Sequence, residues 1–312
     1  AERSWGAEMN PFGTFIQLLV DGLAQGSIYG ALALAIVLVN QATGLVNFAQ
    51  GGMAVLGSYI GLTIGNLLIP GVGSTLGVVL GIVAAVIASL ALGGVVERFV
   101  MRRFERAEED TKVVATIGLL TLITGLVGLI WGFNPTPFPF FFGGSESLRI
   151  GDVSISVWSI VTFTTIVALM VVLQILFRGT KFGLGMRAVA DNAPSAALAG
   201  IRVGGLRMAG WGLAAALGTV AAILLASKSQ LTPNNFDGIL VYALAAVVIG
   251  GLDSPIGAVV AALGITILES LAAAYIPWIG HDLKVVVPFV LVFVVLIIRP
   301  QGLFGRRAVV RV

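Results

Sequence analysis

The 312-residue chain is 58% hydrophobic and only 11% charged, with a mean hydropathy of +1.04, whereas soluble domains carry about 25% charged residues; a soluble fold is excluded, and the composition is that of an all-α polytopic membrane protein. With no cysteine and one histidine, His281, the chain cannot build a disulfide, a thiolate metal site, a cysteine nucleophile or an imidazole cluster. The net charge of +3 is no argument for nucleic acid, because the basic residues have a topological explanation, and the 41 glycines suit helices that approach closely in a membrane.

Residues 1–8 (AERSWGAE) read as an N-terminal extension or remnant, 9–307 as one transmembrane domain and 308–312 as a short tail. Phe12 to Val39 is the first span, too long and too lightly flanked by positive charge to be a cleaved signal peptide. Its Asp21 is open between an interfacial anchor and a bundle-facing polar group. The stretch Asn40 to Gly52 follows, NQATGLVNFAQGG. Asn40 to Gly44 reads as an interfacial turn. Asn47, Gln50, Gly51 and Gly52 read as a cavity-lining or gating segment, since glycine-broken, amide-bearing backbone at membrane depth is tolerated only inside protein or beside water. An apolar run then reaches Leu68.

Span three covers about Thr75 to Val96, and the charged segment Glu97 to Lys112 suits a short interfacial helix or a solvated face. Span four is about Val113 to Trp131. The loop from Gly132 to Asp152 has Pro135, Pro137 and Pro139 too close together for a regular helix, and its aromatic cluster suits a membrane interface. Span five is about Val153 to Phe177.

The polar stretch Gly183 to Ile201 comes next, GLGMRAVADNAPSAALAGI, with Arg178, Lys181 and Arg187 leading in and Arg202 and Arg207 closing it. Arg187 to Ala199 can form a short helix, with Asn192 and Pro194 as turn and helix start. Two readings compete: a docking helix for a soluble partner, and an ordinary connecting loop. Span six is about Met208 to Ala226, and SKSQLTPNNFD links it to Gly238–Ile249. The chain turns at Gly250 to Gly257, rises to Tyr275 and crosses last at about Val285 to Ile298, giving eight or nine crossings.

Gly250 and Gly251 faintly echo Gly51 and Gly52. Paired Gly-interrupted segments suggest two repeat-related halves around a midplane pathway. Glu269 falls deep in its span and is open between a pathway or subunit-interface residue, a neutral acid bonded to Thr266 or Ser270, and a wet position near the outer interface. Asp253 with Pro255 reads as a turn and helix cap.

Of the 18 Lys and Arg, five lie in 97–112, five in 178–207 and four in 299–312. The positive-inside rule puts all three segments in the cytoplasm. There is no phosphate-cradling GxxxxGK[ST] loop and no Ser/His/Asp or paired-carboxylate constellation, so no catalytic site, cofactor or metal is expected.

Four stretches, GLVNFAQGGMAVLGSY (44–59), MRAVADNAPSAALAGI (186–201), AAVVIGGLDSPIGAVVAALGITILE (245–269) and RPQGLFG (299–305), resemble the permease subunits of branched-chain amino-acid ABC importers. The similarity is to the smaller of the two permeases and runs from about Met9 to Arg307. It implies a multi-pass subunit of a bacterial plasma membrane working by alternating access, with ATP hydrolysed by separate cytosolic subunits. A second homologous permease or a second copy of the chain, an extracytoplasmic substrate-binding protein and membrane lipid are the implied partners. It also assigns Arg187, Asp191, Ala196, Ala197, Gly200 and Ile201 to the loop that meets the ATPase, which Asn192 joins as the helix start; the Gly-broken segments and the intramembrane acid make Asn47, Gln50, Gly51, Gly52, Gly250, Gly251 and Glu269 the candidate residues of the translocation path. The family often reads NFAHGE where this chain reads NFAQGG, so Gln50 and Gly52 leave open whether leucine, isoleucine and valine or a small amide such as urea is carried. A secondary transporter would depend on Asp21 and Glu269; a passive channel would need no docking loop.

Overall fold

The computed structural model describes residues 10–68, 75–138, 147–280 and 282–305. The N-terminal extension, His281, the rest of the aromatic loop and the final tail lie outside these residues.

The apolar runs fold as helices, because inside a membrane backbone groups have no water to bond and pair within their own segment. They are α1 (Pro11–Thr43), α2 (Gln50–Leu68), α3 (Thr75–Phe99), α4 (Glu109–Trp131), α5 (Val157–Gly179), α6 (Lys181–Leu198), α7 (Val203–Ala226), α8 (Asp237–Gly250), α9 (Pro255–Tyr275) and α10 (Val286–Ile298). Six of them, α1, α3, α4, α5, α7 and α9, are long and apolar enough to cross a membrane. α2 has 19 residues, and α8 and α10 are shorter apolar helices.

Three boundaries differ from expectation. Asn40–Thr43 continues α1 instead of turning; Gly44, at φ 71°, closes the helix by donating its N–H to the Asn40 carbonyl. Val153–Ser156 is a strand (β2) paired antiparallel with β1 (Ser147–Ile150), so α5 begins only at Val157, where the Ser156 hydroxyl caps it by accepting from the Ser159 N–H. The charged segment is not one interfacial helix. Glu97–Phe99 completes α3, Met101–Phe104 makes a 3-10 turn, and α4 starts at Glu109. Glu97 is only 2% exposed because Arg102 curls back to pair with it at 2.8 Å; Arg102 also donates to the Gly204 carbonyl, and Arg207 pairs with Glu105. These bonds clamp the first basic segment onto the start of α7.

Helices α1–α4 and α7–α10 form an inverted repeat. α1 packs most extensively on α9 as α7 does on α3, both antiparallel; α2 lies on α3 and α7 as α8 lies on α9 and α1; α4 sits on α2 as α10 sits on α8. α1 descends to the end of the bundle where α7 begins, Ala42 meeting Gly210, so the halves run in opposite senses. The charged 3-10 turn, α6, the α8–α9 turn and Phe304 all gather at this, the basic end.

Between membrane helices there is no hydrophobic drive, so close packing and interhelical hydrogen bonds, about 0.6 kcal/mol each, do the holding. The α1–α9 seam runs along Gly22, Gly26 and Gly30. A Cβ on Gly26 would stand 2.3 Å from the Thr266 hydroxyl oxygen, whose hydroxyl donates to the Gly22 carbonyl at 2.7 Å. Gly57, Gly61 and Gly65 make the matching seam of α2 on α3, where Ser89 and Thr219 bond at 2.7 Å. From Gly26 to Val39, α1 is buried on every side.

Candidate functional site

At the basic end, α6 is two helical pieces. Thr180 caps the first by accepting from the Gly183 N–H, and the second starts where Asn192 (φ −155°, ψ 95°) leaves helical geometry and accepts from the Ser195 N–H at 2.9 Å. Pro194 sits in that new first turn, where its missing N–H costs nothing. Gly200, at φ 82°, ends the piece, with Gly200 and Ile201 donating to the carbonyls of Ala197 and Ala196. The sequence-based reading of Asn192 and Pro194 as a helix start matches this geometry. Arg187, Asp191, Asn192, Ala197 and Gly200 are exposed, Ile201 is half-buried, and Ala196 is 5% exposed, packed inward. Leu198, which composition alone did not single out, stands 91% exposed beside Ala197.

A cleft of about 530 Å³ separates α6 from the ends of α1, α5 and α9. Arg178, Arg187 and Asp191 face Asn40, Gln41 and Asp253 across it, with Phe304 on its rim. Gln41 donates to the Asp253 carbonyl at 3.0 Å, tying the end of α1 to the turn before α9, which the Ser254 hydroxyl caps. Asp253 is therefore the turn residue and Ser254 the cap.

Deeper in the bundle, two helices start away from its ends. α2 begins beside the middle of α7, where the Gln50 amide donates to the Ala214 carbonyl at 2.7 Å, and beside the middle of α4, where Gly52 faces Leu120 and Ile123. Asn47 accepts from the Ala49 N–H at 3.0 Å and donates to Gln50 Oε1 at 3.2 Å, so both amides are buried and bonded within the chain. The first turn of α8 meets the same point: a Cβ on Gly51 would stand 2.9 Å from that of Phe236. In the repeat, the counterpart of Gly51–Gly52 is thus the start of α8, not Gly250–Gly251. Those two glycines end α8, where Gly250 packs on Gly257, and Gly251, at φ 98°, lies against Gly302 and Gly305. All six named positions, Asn47, Gln50, Gly51, Gly52, Gly250 and Gly251, are buried in this chain.

The link between α7 and α8 descends from the end of α7 opposite the basic end to this central point. Leu231 and Thr136 exchange backbone bonds, and the Tyr59 hydroxyl donates to the Leu231 carbonyl at 3.1 Å. Thr232, Asn235 and Gln230 bond among themselves. Leu231 and Phe236 are buried, whereas Lys228, Ser229, Gln230, Asn234, Asp237 and Gly238 are exposed. A carboxylate exposed to lipid at mid-depth costs about 2.5–3.5 kcal/mol on insertion scales. Read as a mere link, this segment gave no signal in the sequence; only its contact with Gly51 reveals its depth.

Glu269 is buried and accepts from the Tyr242 hydroxyl at 3.0 Å. Tyr242 stacks tilted on Tyr29 at 4.7 Å, and Gln25 donates to the Tyr29 hydroxyl. The Thr266 hydroxyl, one turn away on the same helix, donates to the Gly22 carbonyl at 2.7 Å. Asp21 is exposed near the end opposite the basic one, accepting from Gln17, which also bonds the backbone of Ser154 in β2. Among the described residues no cluster of three or more His, Asp or Glu could hold a metal ion.

An inverted repeat of membrane helices, with two helices that start inside it and a polar helical loop at one end, defines a membrane permease. The family model described as branched-chain amino acid transport system / permease component matches residues 18–296, and the chain belongs to this family. It is 30% identical over 310 residues to the high-affinity branched-chain amino acid transport system permease protein LivH of Escherichia coli K12, covering 96% of this chain and 98% of that protein. The high-affinity branched-chain amino acid transport system permease protein BraD of Pseudomonas aeruginosa is 30% identical over 308 residues, with the same coverage. A probable branched-chain amino acid transport permease protein LivH of Methanocaldococcus jannaschii is 29% identical over 299 residues, 92% of each chain.

Proposed function

We propose that this chain is the membrane subunit of a binding-protein-dependent ABC importer and forms part of the translocation path for branched-chain or related small amino acids. Family membership over almost the whole chain is the observation that carries this reading. Two cytosolic ATP-binding subunits, a second permease chain (homologous or identical) and an extracytoplasmic binding protein complete the assembly. The basic end faces the cytoplasm by the positive-inside rule.

In this reading α6 is the lever. Closure of the ATPases on ATP presses on Asn192–Ile201, and α6, which packs on α5, α7 and α1 and buries Ala196 in its second piece, passes the movement into both halves of the repeat. Arg187 and Asp191 stand where the lever borders the cleft. Asn47, Gln50, Gly51, Gly52, Gly250, Gly251 and Glu269 form the wall behind the path, holding its shape without touching the solute.

The experiment is a mild-detergent purification followed by uptake in liposomes. Ala197→Trp, on the exposed side of the lever, is expected to lower ATP-driven uptake more than tenfold without lowering the melting temperature of the chain. Ala196→Trp is the wrong probe, because it overpacks the interior. Uptake by the chain alone, without ATP and unaffected by Ala197→Trp, would replace this reading with a channel or secondary carrier.

A further inference from the structure

The α7–α8 link exposes polar residues at both its ends. Lys228, Ser229 and Gln230 are exposed at the end opposite the basic one, and Asn234, Asp237 and Gly238 are exposed beside the start of α8. The lower members lie at the level of the middles of α4 and α7, because Phe236 is pressed on Gly51, whose neighbours Gln50 and Gly52 touch Ala214 on α7 and Leu120 and Ile123 on α4. Non-helical backbone and a carboxylate at that depth are stable only against protein or water. The link's inner side is already filled by Leu231 and Phe236 and pinned to Tyr59 and Thr136. Its outer side must therefore meet water or a second chain. Among its exposed groups at depth, Asp237 is the one anion; its neighbour Asn234 donates to Asp237 Oδ2 at 2.9 Å, leaving the other oxygen for a second donor.

We propose that Lys228–Gly238 lines the half of the translocation path that opens away from the basic end, and that Asp237, at its floor, selects solutes carrying an ammonium group. This rests on the transport reading above, and not on the identity of the motor. An amino acid reaches Asp237 with its cationic end, while a urea-like amide offers no charge to pair with it; the same carboxylate disfavours acids that lack the amine. Gly238 has nothing within 4 Å of the place its Cβ would occupy, which leaves room for the solute beside the carboxylate.

The chain has no cysteine, so single cysteines can be introduced without background. Gln230→Cys, Asn234→Cys and Gly238→Cys, with Leu129→Cys, exposed on the apolar helix α4, as control, are labelled in the purified complex in liposomes with membrane-impermeant thiosulfonates, one cationic and one anionic. The expected result is modification at positions 230, 234 and 238, with the cationic reagent at least tenfold faster than the anionic one at 238, and loss of that preference when Asp237→Asn is added. Asp237→Asn alone is expected to lower amino-acid uptake tenfold or more while ATP hydrolysis stays intact. Labelling needs no ATP, so failure of the importer reading would leave these rates unchanged. Inertness at 234 and 238 would show the face covered by a partner subunit and overturn the proposal; so would an equal response to both reagents, or uptake untouched by Asp237→Asn.

Discussion

The two helices that begin inside the bundle are matched by the repeat and opposed in chemistry. α2 opens on Asn47, Gln50, Gly51 and Gly52, all buried, uncharged and bonded to their own chain. α8 opens on Asn234, Asp237 and Gly238, all exposed, with a carboxylate among them. Equivalent backbone has been given a structural role on one side and a solvated one on the other. Inverted symmetry of the fold therefore does not mean symmetry of the path: of two equivalent helix starts, one can be spent on rigidity.

Substitutions at the two openings test this difference. The largest effect is expected for Gly51→Leu, whose Cβ would collide with Phe236. Overpacking of this kind costs about 1–3 kcal/mol, and detergent-solubilised protein should show a clearly lowered melting temperature, whereas Gly238→Leu should leave melting unchanged and act only on transport. Equal melting of the two variants would erase the distinction. Gln50→Ala comes next: it strips Asn47 of an acceptor and the Ala214 carbonyl of a donor in a buried site, for a loss of about 1–3 kcal/mol. Asn47→Ala removes the side chain that holds the Ala49 N–H, and loss of such a cap costs about 1 kcal/mol. The smallest change is expected for Asn234→Ala, within about 0.5 kcal/mol in the same thermal assay, since the side chain is exposed. A large destabilisation there would mean that the opening of α8 is structural after all.

The sequence showed a great deal of this, unevenly. The helix pieces of α6 were legible because Asn192, Pro194 and Gly200 act through local rules that hold wherever a helix starts or stops. The repeat was legible only in outline. Its sequence echo pointed to Gly250–Gly251, but equivalence is set by which helices pack together, and that pairs the start of α2 with the start of α8. Depth was not legible at all at Asn234–Gly238, since NNFDG reads as a polar link until the contact between Gly51 and Phe236 places it. Glu97 failed for a related reason: in a run of charges it reads as solvated, and its burial depends on Arg102 turning back while also reaching Gly204 on α7.

The seam of Gly22, Gly26 and Gly30 with α9 has a consequence for biosynthesis. The helix that most completes α1 is among the last to be made; at roughly 5–20 residues per second, the polypeptide from Thr43 to Pro255 takes on the order of 10 s or more to synthesise. Throughout that interval the newborn first helix presents a glycine groove, Gln25 and Ser27 to lipid or to whatever insertion machinery shelters it. A ribosome that stalls before Pro255 leaves this orphan behind, a natural substrate for membrane quality-control proteolysis.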